Sequence, residues 1–260
     1  MQILSNEKLI KTRSAWSQRL MLLGFGLILA SAAITFINPS ATAFILPAYG
    51  ALFGGFIVFN IGASSATKWR REPRADQALA KALKGLDNRH ILYNYLLPAE
   101  HVLLTTAGIN VFQVRRLPGV IAVNGAKWSS KRSLMSRLRF GAEEQVGDPT
   151  RDVEQDVTAM RAYLEKNLPG KDVPINPLIL FSFPTVQLTM TDPTVPVLTA
   201  KDAKTYLRQA TSQGKKLDTP TYVALADLFD STEGAEETKL PVEPEAPTAA
   251  KVKPAKKGKP

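Results

Sequence analysis

Apolar residues fall into two kinds of stretch along the chain. Residues 20–67 contain no charged side chain, and Asn38, Pro39 and Ser40 separate two apolar runs within them, residues 20–37 and 41–61. At about 1.5 Å of helix per residue, each run is long enough to cross a bilayer core of roughly 30 Å. From residue 72 onward, shorter apolar segments alternate with polar turns, which is typical of a soluble α/β domain.

Basic residues flank the uncharged region at both outer ends. The preceding segment, residues 1–19, carries Lys8, Lys11, Arg13 and Arg19, and the following segment carries Lys68, Arg70, Arg71 and Arg74. The turn between the two apolar runs has no basic residue. We therefore predict a two-helix transmembrane hairpin over residues 20–67 in the cell membrane, with both termini in the cytoplasm.

Two other interpretations of the apolar region stay open. Ala41, Thr42 and Ala43 resemble a signal-peptide cleavage site, although the preceding apolar run is longer than a usual signal sequence and a second run follows it. A buried helical hairpin of a soluble protein is the other alternative, and the length without charge argues against it.

Gly50 and Gly54 form a GxxxG pattern in the second apolar run. Small residues at this spacing let two helices approach closely. The pattern fits packing within the hairpin and homo-oligomerisation through the hairpin equally well.

The soluble part, residues 72–230, shows alternating helical and strand periodicity. The pattern predicts a helix at 76–86, a connection at 90–97, three strands within 100–128, a helix at 148–167, a buried strand at 175–183, a short strand at 195–198, and helices at 199–213 and 220–229. The expected inner face of the 148–167 helix consists of Val153, Val157, Met160, Ala162 and Leu164.

The three strands within residues 100–128 carry an unusual polar pattern. A tight turn at Ala107 and Gly108 separates the first two, and Pro118 and Gly119 precede the third. Because side chains alternate along a strand, the second strand has two faces. One face presents Ile109, Val111, Gln113 and Arg115, and the other presents Asn110, Phe112 and Val114.

Residues 231–260 differ in composition from the rest of the chain. The segment is acidic and rich in proline at first, and lysine then alternates with proline, alanine and glycine. Such a segment buries too little apolar surface to offset its ordering entropy, so we predict a disordered tail. Its lysines fit either a solvated tail or weak contact with anionic lipid or nucleic acid.

The composition of the chain limits the partners and the kinds of site that are expected. The net charge of +10 favours an anionic partner, either nucleic acid or lipid headgroups. The chain has no cysteine, which excludes disulfides and thiolate metal sites, and its two histidines argue against a site with several histidine ligands.

The stretch from Glu100 to Arg115 resembles the core of the nuclease-related (NERD) domain, a branch of the PD-(D/E)XK nuclease superfamily. In that family an acid opens one strand, a glycine turn follows, and the next strand carries Glu-x-Lys. Glu100 matches the acid, and Gln113 and Arg115 stand at the Glu and Lys positions. The resemblance covers residues 76–213, with further matches at Asp76, at Asp148 with Pro149, at Gln155 and at the segment LILFSF.

This resemblance implies a restriction-endonuclease-like α/β fold and a site built from Asp76, Glu100, Gln113 and Arg115. Mg²⁺ is the implied cofactor, with Glu100 and Asp76 as its ligands. Gln113 offers a neutral amide oxygen where the family has a charged carboxylate. Arg115 stays protonated and cannot act as a base, but its planar fork suits a phosphate. The implied site is therefore degenerate.

Structural roles compete with these assignments. The polar residues on this face of the second strand are equally compatible with an ordinary solvent-exposed surface. Glu100 and Arg115 are compatible with a cross-strand ion pair of purely structural role. The basic stretch 127–139 is compatible with binding either to the nucleic-acid backbone or to the anionic inner leaflet of the membrane. The expected phosphate-binding set is Arg115, Arg116, Lys127, Lys131 and Arg132.

Three functions remain open from the sequence. The first is a membrane-anchored NERD-like protein that binds nucleic acid or a protein partner, with weakened or lost nuclease activity. The second is an active Mg²⁺-dependent nuclease tethered to the membrane. The third is a structural membrane protein whose soluble domain mediates assembly.

Overall fold

The computed structural model describes residues 1–37, 42–131 and 146–238. The helices are α1 (Glu7–Ile37), α2 (Ile45–Trp69), α3 (Ala75–Ala82), α4 (Pro149–Asn167), α5 (Ala203–Gln213) and α6 (Thr219–Asp230), with a 3₁₀ turn at Thr42–Phe44. The strands are β1 (Gln2–Ser5), β2 (Ile91–Asn94), β3 (His101–Thr105), β4 (Gly108–Arg115), β5 (Gly119–Asn124), β6 (Lys127–Lys131), β7 (Ile175–Phe181), β8 (Val186–Thr191), β9 (Val197–Thr199) and β10 (Glu236–Glu237).

The predicted pair of apolar helices is present as α1 and α2, and both are long and apolar enough to cross a membrane. The helices run side by side in opposite directions, and the Ser31 hydroxyl donates a hydrogen bond of 2.8 Å to the Ala48 carbonyl. Helix α1 begins at Glu7, well before the apolar run, because Asn6 caps it by accepting the Leu9 N–H at 2.9 Å. The predicted break at residues 38–40 lies outside the described residues.

The helices α1 and α2 approach closely at Gly24 and Gly62, and not at Gly50 and Gly54, the pair noted in the sequence. A Cβ atom at Gly24 would lie 2.4 Å from the Phe59 nitrogen, and one at Gly62 would lie 2.6 Å from the Met21 nitrogen. At Gly50 and Gly54 an added Cβ would meet no described atom within 4 Å. Helix contact within the hairpin therefore depends on other glycines than the GxxxG pattern.

The soluble part is built on a mixed seven-stranded sheet in the order β10-β1-β2-β3-β4-β7-β9. Strands β3 and β4 form the predicted hairpin, and β4 pairs in parallel with β7, the predicted buried strand. The predicted α/β fold is thus confirmed. The expected connection at residues 90–97 was wrong, since it contains β2, whose four side chains are all buried between β1 and β3.

Strand β1 precedes the helical hairpin and still belongs to the sheet of the soluble part, which the sequence analysis missed. Gln2–Ser5 pairs in parallel with β2, and Ile3, Leu4 and Ser5 are buried. The Met1 ammonium donates to the Leu86 carbonyl at 3.2 Å. Both outer ends of the hairpin are therefore joined to the same sheet domain.

The start of the disordered tail was predicted too early in the chain. Strand β10 lies inside the predicted segment 231–260 and pairs antiparallel with β1. Both of its glutamate side chains are exposed, so this strand depends on backbone hydrogen bonds and leaves no apolar pattern in the sequence. Residues 239–260 lie outside the described part of the chain.

Each face of the main sheet has its own apolar core, and the predicted alternation along β4 is confirmed. Ile109 and Val111 pack with α4 through Val153, Met160 and Leu164. Phe112 and Val114 pack on the other side with helices α3 and α5. We call these two sides the α4 face and the α3 face.

A second sheet has the order β6-β5-β8. Strand β8 was not predicted, because its side chains are exposed or only partly buried. The basic stretch 127–139 begins as β6, and residues 132–145 lie outside the described residues. Trp128 on β6 donates through its indole N–H to the Thr150 hydroxyl at 2.8 Å, which connects this sheet to the start of α4.

Helix α4 has nearly the predicted bounds, because the Asp148 carboxylate accepts the Arg151 N–H at 3.1 Å and caps it. Its inner face is as predicted except that Ala162 is exposed. The helix predicted from residue 199 begins at Ala203 instead, since Thr199 ends β9. The Thr199 hydroxyl donates to the Asp202 carboxylate at 2.5 Å.

Candidate functional site

The β3–β4 hairpin positions three of the four predicted site residues on the α4 face. Val102 pairs with Val111, and extending this register sets Glu100 opposite Gln113. Gln113 and Arg115 follow Ile109 and Val111 at intervals of two, so they share the face that α4 covers.

Arg115 is held by both the strand and the helix above it. Its guanidinium forms an ion pair with Asp152 in the first turn of α4 and donates to the Gln113 amide oxygen at 3.4 Å. The side chain of Arg115 is only 16% exposed, whereas that of Asp152 is 40% exposed. The arginine at the family's Lys position therefore already binds a carboxylate, as its bidentate geometry favours.

Glu100 forms an ion pair with Lys68, the residue before the last of α2. Burial raises the pKa of Glu100, but the charge and hydrogen bond of Lys68, together with His101 and Arg115, outweigh it and leave the pKa below its ordinary value. Glu100 therefore carries its charge at neutral pH.

Asp156 lies one turn beyond Asp152 on α4 and completes the acidic side of the site. Burial, followed by the charges of Glu100 and Asp152, raises the pKa of Asp156 to about 6. The sequence analysis named Gln155 from the resemblance and missed this residue. An i, i+4 pair of aspartates beside the predicted inner face was the signal that pointed to it.

Asp76 lies on the other side of the sheet. It belongs to α3, which packs on the α3 face, and its buried carboxylate accepts hydrogen bonds of 3.1 and 2.9 Å from the Arg74 guanidinium. The hydrogen bond from Arg74 to Asp76 is the main cause of the raised pKa of Arg74. The structure therefore brings Glu100, Gln113 and Arg115 together on the α4 face, whereas Asp76 belongs to the helix on the α3 face. Burial lowers the pKa of His101 overall, although both Glu100 and Asp76 are near enough to His101 to raise it in part.

The two acids expected to hold Mg²⁺, Glu100 and Asp76, each have a basic neighbour in the structure. Mg²⁺ requires several oxygen ligands around one point. Within residues 1–37, 42–131 and 146–238, no group of three or more Asp, Glu and His side chains is placed to hold a metal ion.

The expected phosphate-binding residues contact different elements. Arg115 faces α4, while the Arg116 guanidinium donates to the Arg71 carbonyl at 3.0 Å, just beyond α2. Lys127 is exposed at the start of β6. Lys131 ends β6, its side chain lies outside the description, and Arg132 lies outside the described residues.

The end of α2 packs directly beside the site. The Trp69 ring lies 4.9 Å from the Tyr95 ring, and the Tyr95 ring lies 5.0 Å from the His101 ring. His101 is buried, which lowers its pKa, and its Nδ1 lies 2.9 Å from the Asn94 amide oxygen. The second apolar helix is thus continuous with the packing under β3.

Comparison with known proteins gives one match. Residues 68–182 match the family model described as the nuclease-related domain, NERD. No curated protein and no solved structure matches the chain. The matched span begins at Lys68 and includes every residue of the site described above, so the expected family is confirmed for this part of the chain.

Proposed function

Because residues 68–182 carry a nuclease-related domain, we propose that the protein is a membrane-anchored nucleic-acid-binding protein with weakened or lost nuclease activity. One observation carries the proposal. The arginine at the family's Lys position is ion-paired with Asp152, and the family's acid, Glu100, is ion-paired with Lys68.

Two features of this arrangement oppose cleavage. An arginine side chain is a poor general base, so the residue at the family's Lys position is not suited to take a proton from water. The charge of Glu100 is compensated by Lys68, and a metal ion at this carboxylate would have to displace the ammonium group. Both steps that activate water in a metal-dependent nuclease are therefore weakened.

The same arrangement allows phosphate binding. The guanidinium fork fits a phosphate as well as a carboxylate, and a backbone phosphate exchanges for the partly exposed Asp152. The chain's net charge of +10 adds long-range attraction for nucleic acid. Affinity is weak because Asp152 and Asp156 beside the arginine repel an anion.

Membrane anchoring through α1 and α2 is the second part of the proposal. Strand β1 and the end of α2 both join the sheet domain, which matches a hairpin whose outer ends lie on one side of the bilayer. By the positive-inside rule, the basic residues at these ends support a cytoplasmic location for that side. Since the chain has no cysteine, Ser40→Cys and Lys216→Cys can be labelled separately in intact cells. A membrane-impermeant maleimide labels only Ser40→Cys under this proposal, and labelling of Lys216→Cys contradicts it.

An active Mg²⁺-dependent nuclease is the second candidate, and one observation favours it. Glu100 and Asp152 lie close enough to Asp156 to raise its pKa. A cation that replaced Lys68 would meet these acids together with the Gln113 oxygen. A purely structural assembly role, or binding of a protein partner, is the remaining alternative if no nucleic acid binds.

A binding titration tests the proposal, and it requires the full chain because β1 precedes the hairpin. The purified protein in neutral detergent is titrated with labelled single- and double-stranded oligonucleotides at low and high salt. Binding is expected to weaken with salt as counterions are released. Arg115→Ala is expected to lose at least about threefold in affinity, and the control Arg161→Ala, an exposed arginine on α4, is expected to lose less. Equal binding by both variants, or no binding by the wild type, contradicts the proposal.

A further inference from the structure

A cavity of about 280 Å³ lies where the second apolar helix meets the sheet domain. Three segments of the chain line it: the end of α2 with Thr67, Arg71 and Glu72, the residue after β4 with Arg116, and the residues after β7 with Ser182 and Phe183. Its volume is close to the lower end of the range for small-molecule sites, which begins at roughly 300 Å³. The cavity is therefore large enough for a small polar group at the junction of hairpin and sheet.

Two arginines meet at this cavity. The Arg116 guanidinium donates to the Arg71 carbonyl at 3.0 Å, which holds Arg116 beside the segment that leaves α2. The preceding residue, Arg115, is instead paired with Asp152 on α4. Among the described lining residues Glu72 is the only acid, and it is exposed, so the lining carries a net positive charge. Guanidinium groups gathered in one lining suit a phosphate.

The end of α2 opposes an anion only weakly. The last carbonyl groups of a helix carry a partial negative charge of about half a unit. Here the Ala66 carbonyl accepts the N–H groups of Arg70 and Arg71 at 2.9 and 3.2 Å, and the Ala63 carbonyl accepts the Thr67 hydroxyl at 3.1 Å. These bonds satisfy part of the helix end, and the two guanidinium groups outweigh its partial charge.

With α2 spanning the bilayer as proposed above, the cavity lies at the depth of the lipid headgroups. Thr67 and Trp69 belong to the last turn of α2, a helix long and apolar enough to cross a membrane. The Trp69 ring packs 4.9 Å from the Tyr95 ring, and tryptophan favours the headgroup region. Phe183 lines the cavity and is still 37% exposed, so it adds an apolar edge beside the arginines.

We propose that this cavity binds the headgroup of an anionic glycerophospholipid, with the phosphate held by Arg71 and Arg116. The binding rests on the membrane anchoring proposed above, because only an anchored domain has lipid at this height. The apolar edge at Phe183 contacts the lipid beside its phosphate, and free phosphate has no group that uses this edge. A nucleic-acid strand fits this place poorly, because the bilayer surface lies against the cavity.

Lipid binding to the purified full chain tests the site. The chain in neutral detergent is titrated at physiological salt with dioctanoyl phosphatidylglycerol, dioctanoyl phosphatidylcholine and inorganic phosphate, and native mass spectrometry measures the bound fraction. Phosphatidylglycerol is expected to bind at least about tenfold more tightly than either of the other two probes.

Matched arginines separate a built site from general surface charge. Arg71→Gln and Arg116→Gln are each expected to weaken phosphatidylglycerol binding at least about fivefold and to leave phosphatidylcholine binding unchanged. The control Arg70→Gln removes an exposed cation that does not line the cavity, and it is expected to change the affinity less than about twofold. Because Arg71 is exposed, Arg71→Gln is expected to keep the fold, and its unfolding temperature without lipid checks this.

Three results overturn the lipid site. The first is binding of phosphatidylcholine or inorganic phosphate as tight as that of phosphatidylglycerol. The second is an equal loss of phosphatidylglycerol affinity in Arg70→Gln and Arg71→Gln, which means general charge. The third is a loss of oligonucleotide affinity in Arg71→Gln as large as that in Arg115→Ala, which assigns the cavity to nucleic acid.

Flotation with phosphatidylcholine vesicles separates failure of the lipid site from failure of the membrane anchor. A chain that floats with these vesicles but shows no preference for phosphatidylglycerol keeps the anchor and contradicts the lipid site. A chain that does not float contradicts both.

Discussion

Lys68, at the end of the second apolar helix, forms an ion pair with Glu100, the residue immediately before β3. The next residue, Trp69, packs its ring 4.9 Å from the Tyr95 ring. One charge and one aromatic contact thus connect the apolar hairpin to the candidate site. The ionisation of Glu100 depends on where α2 ends.

Replacing Lys68 by methionine is expected to raise the pKa of Glu100. Burial already raises this pKa, and Lys68 is the strongest influence that lowers it. The carboxyl carbon resonance of Glu100, assigned with Glu100→Gln in ¹³C-glutamate-labelled protein, gives the titration midpoint. A distant exposed lysine, changed in Lys216→Met, serves as the control. An unchanged midpoint in Lys68→Met contradicts the ion pair.

Asp156 predicts how stability depends on pH. Its pKa is about 6 in the folded protein against an ordinary value of 3.8, so the folded state binds this proton more tightly than the unfolded state. The protonated Asp156 carboxyl therefore stabilises the folded state fully below about pH 4. This contribution is lost as the pH rises through 6 and the group ionises. Asp156→Asn should therefore stabilise the protein by about 1 kcal/mol above pH 7, allowing for partial solvation, and not at pH 4. Chemical unfolding at both pH values measures the change in the free energy of unfolding. An equal stabilisation at pH 4 and above pH 7 would contradict the raised pKa of Asp156.

Strand β1 is expected to be essential for the sheet. Leu4→Asp places a charge in the core of the α4 face and should destabilise the protein by about 3 kcal/mol or more. Gln2→Asp, at an exposed position of the same strand, should change stability by less than about 0.5 kcal/mol. Thermal unfolding in detergent distinguishes them. Similar values for both variants mean that β1 contributes little.

Helix contact in the hairpin should respond to specific glycines. Gly24→Ala places a methyl group against the backbone of Phe59 and is expected to cost about 1–3 kcal/mol. Gly54→Ala meets open space and serves as the matched control. If Gly54→Ala lowers the hairpin's unfolding temperature more than Gly24→Ala does, the arrangement of α1 and α2 is wrong. A change of oligomeric state in Gly54→Ala alone assigns the GxxxG pattern to self-association.

Elements marked by strong periodicity could be predicted from the sequence. The two apolar helices, the β3–β4 hairpin with its alternating faces, and α4 with its Asp148 cap all follow from local pattern. Strands β1, β8 and β10 could not be predicted, because tertiary backbone pairing defines them. Gln2–Ser5 is four residues long, and Glu236–Glu237 is two residues long with both side chains exposed.

The positions of the predicted site residues follow from the sequence only in part, for a similar reason. Alternation along β4 placed Gln113 and Arg115 on one face correctly, and the antiparallel turn brought Glu100 opposite them. Which face α3 covers is a tertiary property, so the sequence could not show that Asp76 lies behind the sheet. The ion pairs to Lys68 and Asp152 join residues 32 and 37 positions apart, beyond any local pattern.

A cleavage assay tests the central claim most directly. The full chain in neutral detergent is incubated with labelled DNA and RNA in Mg²⁺, beside Glu100→Ala and the double variant Gln113→Glu with Arg115→Lys, which restores the family's Glu-x-Lys. We predict no cleavage above the Glu100→Ala background for the wild type, and measurable Mg²⁺-dependent cleavage for the double variant. Wild-type cleavage that Glu100→Ala abolishes would contradict the account and establish the active nuclease in its place.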